Sequence, residues 1–256
     1  MAGTGHTSIW TVPERPARGP RPAYSRAQIT ATAVAIADAE GLEAASMRRI
    51  AAELGTGAMS LYRYVPSRGD LLALMVDHVL GEAELPERPS GDWRADLRLY
   101  AHHTRAVAAR HRWLWNLNPR PEFGPNQLRV AEFAFGALDI DGLTIDDIFV
   151  YVGMVTGYAQ NAVRDEIGAS EGESAEERMR RSAPYVRSVL ATGRYPMFER
   201  IIREARQPHM TPDERFAYGL ERVLDGIAAQ LPDRSGLTEA FLAGRDAALL
   251  GEQGRD

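Results

Sequence analysis

The sequence predicts an all-α protein: an N-terminal three-helix unit of helix-turn-helix layout followed by a larger helical bundle. Two observations carry this. From Ser25 onward apolar residues recur at three- and four-residue spacing, with no segment showing the strict alternation of a half-buried strand. Gly and Pro fall mostly between the periodic segments rather than within them.

Residues 1–23 form an arm in which Pro13, Pro16, Pro20 and Pro22 alternate with Arg15, Arg18 and Arg21. Proline fixes φ and removes an amide donor, which predicts an extended or flexible segment. The arm lacks the apolar run of a signal peptide, and no stretch offers about 18 uninterrupted apolar residues, so a cytoplasmic protein with no membrane partner is expected.

Ser25 and Gln28 have capping-box spacing and open a first helix to Glu40, stopped by Gly41, with Ile29, Ala33, Ile36 and Ala37 on its apolar face. A second helix is predicted over 46–54, ended by Gly55. A third covers 57–64 and stops ahead of Pro66, because the residue before proline disfavours α geometry. Ser67 with Asp70 caps a fourth, about 67–82, bearing Leu71, Leu72, Leu74, Met75, His78 and Val79. Beyond a linker at 86–91, helices are expected near 92–110, 124–138, 144–167, 174–192, 196–206 and 212–231.

Composition removes whole classes of chemistry. There is no cysteine, hence no disulfide, thiol nucleophile or thiolate metal site. All 30 basic residues are arginine, so Schiff-base lysines and phosphate-binding P-loop lysines are absent.

Residues 46–64 have the layout of two short helices joined at Gly55. Ile50, Leu54, Leu61 and Val65 supply the apolar seam, and Ala51 is small where the helices must approach. The outer face of the second helix then presents Ala58, Met59, Ser60, Tyr62, Arg63 and Tyr64, side chains suited to a major groove.

The stretch RRIAAELGTGAMSLYRYVPSRGDLL, preceded by AIADAEG, resembles the N-terminal domain of the TetR family of transcriptional regulators, over about Ser25–Leu80. RFAYGLERVLDGIAAQL resembles the tetracycline-repressor-like C-terminal class. The resemblance implies double-stranded DNA as partner, with Ser46 and Arg48 meeting phosphates, Ala58, Met59, Ser60, Tyr62, Arg63 and Tyr64 in recognition positions, and Arg68 on the backbone. Gly57 departs from the Ser or Thr cap common in relatives and offers no side-chain acceptor. The expected division is a DNA-binding domain at 24–70, an effector-binding and dimerisation domain at 71–234 linked to it by the fourth helix at about 67–82, and a tail at 235–256.

The overall charge of −5 opposes DNA binding taken as a whole, but residues 1–68 carry eight arginines against five acids, net +3, leaving −8 for the rest. Positive charge lies where counterion release would use it.

Residues 148–159, IFVYVGMVTGYA, are apolar almost all round, the pattern of a helix buried on more than one side. Helix 212–231 adds a stripe of Phe216, Leu220, Val223, Leu224, Ile227 and Leu231. The resemblance implies that these two helices form a homodimer interface, through Val152, Gly153, Gly157, Phe216, Leu220, Val223, Leu224 and Ile227; the alternative is that both stripes are subunit core. Tyr100, His103, Trp113, Phe135, Tyr151, Met154, Tyr158 and Asn161, with Trp115 and Phe133 nearby, are candidates to line a pocket for a small, mostly apolar or aromatic effector. No cofactor and no metal site is expected: the adjacent His102 and His103 point to different helix faces.

The favoured function is a homodimeric, ligand-responsive transcriptional regulator, a repressor released from a palindromic operator. Two alternatives remain at this level: a constitutive DNA-binding protein without effector, and a helical enzyme using His103, Glu132, Asp165 and Glu166, which no clustered motif joins.

Overall fold

Helix ends in this chain are set by local chemistry, and the computed structural model places them close to where the caps predict. It describes residues 8–13, 24–82, 85–117, 123–170, 175–205 and 210–231. The arm arginines Arg15, Arg18 and Arg21, the tail at 235–256, and the side chains of Trp115 and Asp165 lie outside the described residues. Among the described residues every regular element is helical.

The first helix, α1 (Arg26–Glu40), starts with the reciprocal Ser25–Gln28 capping box and ends at Gly41, whose φ of +87° favours a residue without Cβ. Next comes α2 (Met47–Glu53), capped by Ser46. Gly55, at φ +67°, turns the chain into α3 (Ala58–Leu61). This third helix is shorter than the expected 57–64. Gly57 supplies no side-chain acceptor at its start, and ahead of Pro66 residues 62–64 unwind into a turn in which Tyr64 N–H bonds Leu61 O. Then α4 (Arg68–Leu80) is opened by Ser67, which accepts from Asp70 N–H.

Ile29, Ala33, Ile50, Leu61, Val65, Leu71, Met75 and Val79 are fully buried together. Each of the Ile, Leu, Val and Met side chains among them contributes about 1.5–3 kcal/mol on burial. The expected boundary at 70/71 falls within α4, the helix expected to link the domains, and α4 shares the N-terminal core along most of its length. Part of the arm is folded as well. Ile9–Thr11 form a 3-10 turn with Ile9 in the same core, and Arg26 donates to Val12 O at 2.7 Å.

The second layer comprises α5 (Trp93–Arg110), α6 (Pro125–Gly136), α7 (Ile145–Ser170), α8 (Ala175–Leu190), α9 (Pro196–Glu204) and α10 (Pro212–Ala228). Helix α7 packs on both α5 and α10 around Leu97, Phe133, Leu138, Val155, Phe216, Leu220 and Leu224. Arginines of α5 reinforce the contact: Arg94 and Arg98 hold Glu221, and Arg105 holds Glu166 and Asp213. Helices α8 and α9 pack chiefly on each other.

The interface expectation for α10 is corrected here. Phe216, Leu220, Leu224 and Ile227, and Val152 on α7, are buried within the subunit, because α10 lies across α5 and α7 with its stripe inward; Val223 is half-buried. Helix α7 is two-sided. Ile148, Val152, Val155 and Ala159 face the core, while Phe149, Val150, Gly153, Met154 and Gly157 are exposed.

Candidate nucleic-acid interface and effector cavity

The α2–turn–α3 corner is held from behind. Tyr24 Oη donates to Leu54 O at 3.0 Å, and Arg26 Nε donates to Tyr64 O at 3.0 Å, so the start of α1 and Tyr24 just ahead of it hold the turn and the far end of α3. Leu54, expected in the seam, is only half-buried, while Ile50, Leu61 and Val65 are sealed. On the outer face Met59 is 79% exposed and Tyr62 and Arg63 are exposed, with Ala58, Ser60 and Tyr64 half-buried beside them.

Geometry separates the arginines. Arg48 and Arg63 are exposed and make no ion pair among the described residues, leaving their guanidinium groups available to phosphate or base. Arg49 is held by Glu40 at 3.0 Å and Glu53 at 2.6 Å. Arg68 folds back toward Ala45 O, Leu42 O and Glu43 rather than projecting outward. Ser46 Oγ accepts Arg49 N–H, and its hydroxyl proton can still be offered to a phosphate.

In the second layer a cavity of about 770 Å³ lies between α4, α5, α6 and α7, within the usual size range of small-molecule sites. Val76 and Leu80 of α4 form one wall, and Tyr100, Thr104, Val107 and Ala108 of α5 another. Leu114 and Leu117, just after α5, and Gln127, Val130, Ala131 and Phe135 of α6 enclose it further; Thr156, Gly157, Gln160, Asn161 and Arg164 of α7 complete it. Thr156 Oγ1 donates to Val152 O at 2.7 Å, so the 2.8 Å contact with Tyr100 Oη uses the phenol proton. Burial pushes the Tyr100 phenol up from its ordinary pKa, keeping it neutral.

Of the expected pocket residues, Tyr100, Phe135 and Asn161 line this cavity, and so does Gly157, expected at the interface. The others do not. Trp113 sits in the N-terminal core, its Nε1–H donating to Asp38 at 2.7 Å. His103 is buried with neither ring nitrogen hydrogen-bonded, and burial, then Arg129, lowers its pKa, favouring neutral imidazole. Tyr158 packs on Phe216 and donates to Phe216 O, Tyr151 is half-buried against the core, and Met154 is exposed.

Thr104, Gln127, Thr156, Gln160 and Arg164 also line the cavity and were not among the expected pocket residues, most of which are aromatic. A signal existed: Thr156, Gln160 and Arg164 form a polar i, i+4, i+8 row that begins inside the apolar stretch 148–159.

Second-layer residues also grip the DNA-binding unit. His111, at the end of α5, lies between Asp38 of α1 at 2.8 Å and Glu82, just past α4, at 3.0 Å. Glu82 is held below the usual carboxylate range by hydrogen bonds from His111 and Arg110, which outweigh its partial burial. No group of three potential metal ligands occurs among the described residues, and no described helix is long and apolar enough to cross a membrane.

A helix-turn-helix with outward arginines, whose connecting helix also walls a cavity in the second layer, defines a DNA-binding regulator rather than an enzyme. Residues 29–75 match the family described as bacterial regulatory proteins, tetR family, and residues 85–231 match the tetracyclin repressor-like C-terminal domain. The chain belongs to the TetR family of transcriptional regulators. It is 40% identical over 235 residues to the HTH-type transcriptional repressor DrrR1 of Streptomyces coeruleorubidus, covering 89% of this chain and 86% of that one. Apo ActR from Streptomyces coelicolor superposes with a TM-score of 0.66 at 29% identity, over 82% of this chain and 97% of that chain. ActR in complex with actinorhodin gives 0.67 at 28% identity, over 84% and 100%.

Proposed function

We propose that the protein is a homodimeric repressor released from a palindromic operator by a small, mostly apolar or aromatic molecule bound in the cavity. One observation carries this reading: Val76 and Leu80 of α4 form a cavity wall, and the same helix begins at Arg68 in the DNA-binding unit. A ligand that fits the cavity better with α4 in one position than another shifts the pair of recognition helices by that difference in affinity. ActR, solved with actinorhodin and with (S)-DNPA, supports a small-molecule effector, and DrrR1 supports repression.

The exposed face of α7, with Phe149, Val150, Gly153 and Met154, is the surface assigned to the second subunit. A two-fold dimer reads half-sites about 34–36 Å apart, one helical turn of DNA, or a multiple of that spacing. Selecting bound duplexes from a random pool tests this directly. Inverted repeats at that spacing are expected; unrelated or unpaired sites contradict the dimeric reading. Screening flat aromatic compounds against the selected complex then separates this reading from a constitutive binder, which no compound would release.

A further inference from the structure

Helix α6 starts without a cap of its own. Gly124 has no side-chain acceptor, so the first amides of α6 need a partner from elsewhere. Asp77 of α4 supplies it. Its Oδ1 accepts the backbone N–H of Asn126 and of Gln127, both at 2.9 Å, and its Oδ2 accepts the Asn126 side-chain amide at 3.0 Å. Asp77 is 4% exposed, so these charge-assisted bonds are made out of water, where they are strongest.

The surrounding residues are shaped for this joint. A Cβ on Gly124 would collide with the Asp77 carboxylate and with the Trp10 ring. A Cβ on Gly81, at the end of α4, would come within 2.7 Å of the Asn126 amide. Two glycines thus admit a contact that any other residue would push apart. Helix α6 in turn walls the cavity with Gln127, Val130 and Ala131.

We propose that Asp77 is the positioning residue of the effector response: its carboxylate fastens the cavity wall α6 to the connector α4, so that the two helices move as one unit. The inference rests on the regulator reading above. Asp77 neither lines the cavity nor lies at the DNA face; at ~1.5 Å per residue it is about 13 Å along α4 from Arg68.

The experiment uses the full-length protein and duplex DNA that it selects from a random pool, with saturation followed by anisotropy. Hydrogen exchange of α6 amides 126–131 is measured with and without the duplex. In the wild type, DNA is expected to change their exchange by about fivefold or more, the lower end of ordinary coupling. Asp77→Ala is expected to abolish that change at equal saturation. Asp77→Asn, which can still accept the two backbone amides but loses its charge, should reduce it by at least half and serves if the alanine variant does not fold. DNA affinity without effector should stay within about threefold, far below the change from removing a direct contact. A wild type that binds DNA with no change in α6, or variants that keep the full change, would overturn the proposal. Failure to retain any duplex would instead overturn the regulator reading and this inference with it.

Discussion

Trp113 Nε1 donates to Asp38 Oδ1 at 2.7 Å, joining the turn after α5 to the first helix of the DNA-binding unit. The indole is 3% exposed, and Asp38 also faces His111 Nδ1 at 2.8 Å, so one carboxylate of α1 receives two side chains from the second layer. Trp113→Phe keeps an aromatic ring but deletes this donor, and is expected to destabilise the protein by about 1–3 kcal/mol, measured by urea unfolding. An unchanged midpoint would show that the bond contributes nothing.

The arginines of the helix-turn-helix should separate by role. Arg48→Ala is expected to weaken binding to all duplexes alike and to reduce the salt slope by about 1, the signature of a lost phosphate contact. Arg63→Ala should also blur sequence preference. Arg49→Ala, which breaks only exposed pairs with Glu40 and Glu53, should alter stability by about 1 kcal/mol or less and barely change DNA affinity. Competition binding against specific and random duplexes distinguishes the three. Equal effects would contradict this division.

His103 should make the protein acid-sensitive. Burial and Arg129 lower its pKa in the folded state, so the unfolded chain takes up a proton near the ordinary value of 6.5 while the folded one does not. Its contribution to stability therefore falls as pH drops below 6.5. His103→Leu, which removes two ring nitrogens that lack partners, should be neutral or stabilising at pH 7.5 and should flatten the loss at pH 5.5. Parallel pH profiles from urea melts would refute this.

Glu221 behaves in the opposite sense. Hydrogen bonds from Arg98 and then Arg94 hold its pKa down to about 2 against a usual 4.5. Its stabilisation is therefore present above 4.5 and is lost as pH falls through about 2. Glu221→Gln should lower the melting temperature at pH 7, and the difference from wild type should close as the pH is taken toward 2.

Core and subunit surface should respond differently to charge. Val150→Asp, on the exposed side of α7, is expected to give a folded monomer by light scattering. Leu224→Asp, wholly buried, should prevent folding. A dimeric Val150→Asp protein would remove the interface assigned to this face.

What the sequence discloses follows the range of the interactions involved. The caps at Ser25, Ser46 and Ser67 and the stops at Gly41 and Gly55 act within a few residues, and the helices they bound were legible. The pairing of Arg49 with Glu40 and Glu53 was not read from the sequence, although Glu53 stands four residues on; the Glu40 contact spans two helices. The role of α10 was not legible either: an apolar stripe is the same on a core helix as on an interface helix, and only the packing of α10 across α5 and α7 decides. Trp113 was assigned to the cavity because an aromatic carries no mark of which layer it will enter. Asp77 was invisible as a cap for α6 because its partners, Asn126 and Gln127, stand some fifty positions away.

The central claim, that the cavity and the DNA face are coupled through α4, is tested most directly by reciprocity. The affinity of the protein for its selected duplex is measured with and without each of a panel of flat aromatic compounds, actinorhodin among them, and the affinity of each bound compound is measured with and without the duplex. For at least one compound, both affinities should fall by the same factor, about tenfold or more, equivalent to roughly 1.4 kcal/mol of coupling. Compounds that occupy the cavity, as judged by loss of binding in Ala131→Trp, yet leave DNA affinity unchanged would contradict it.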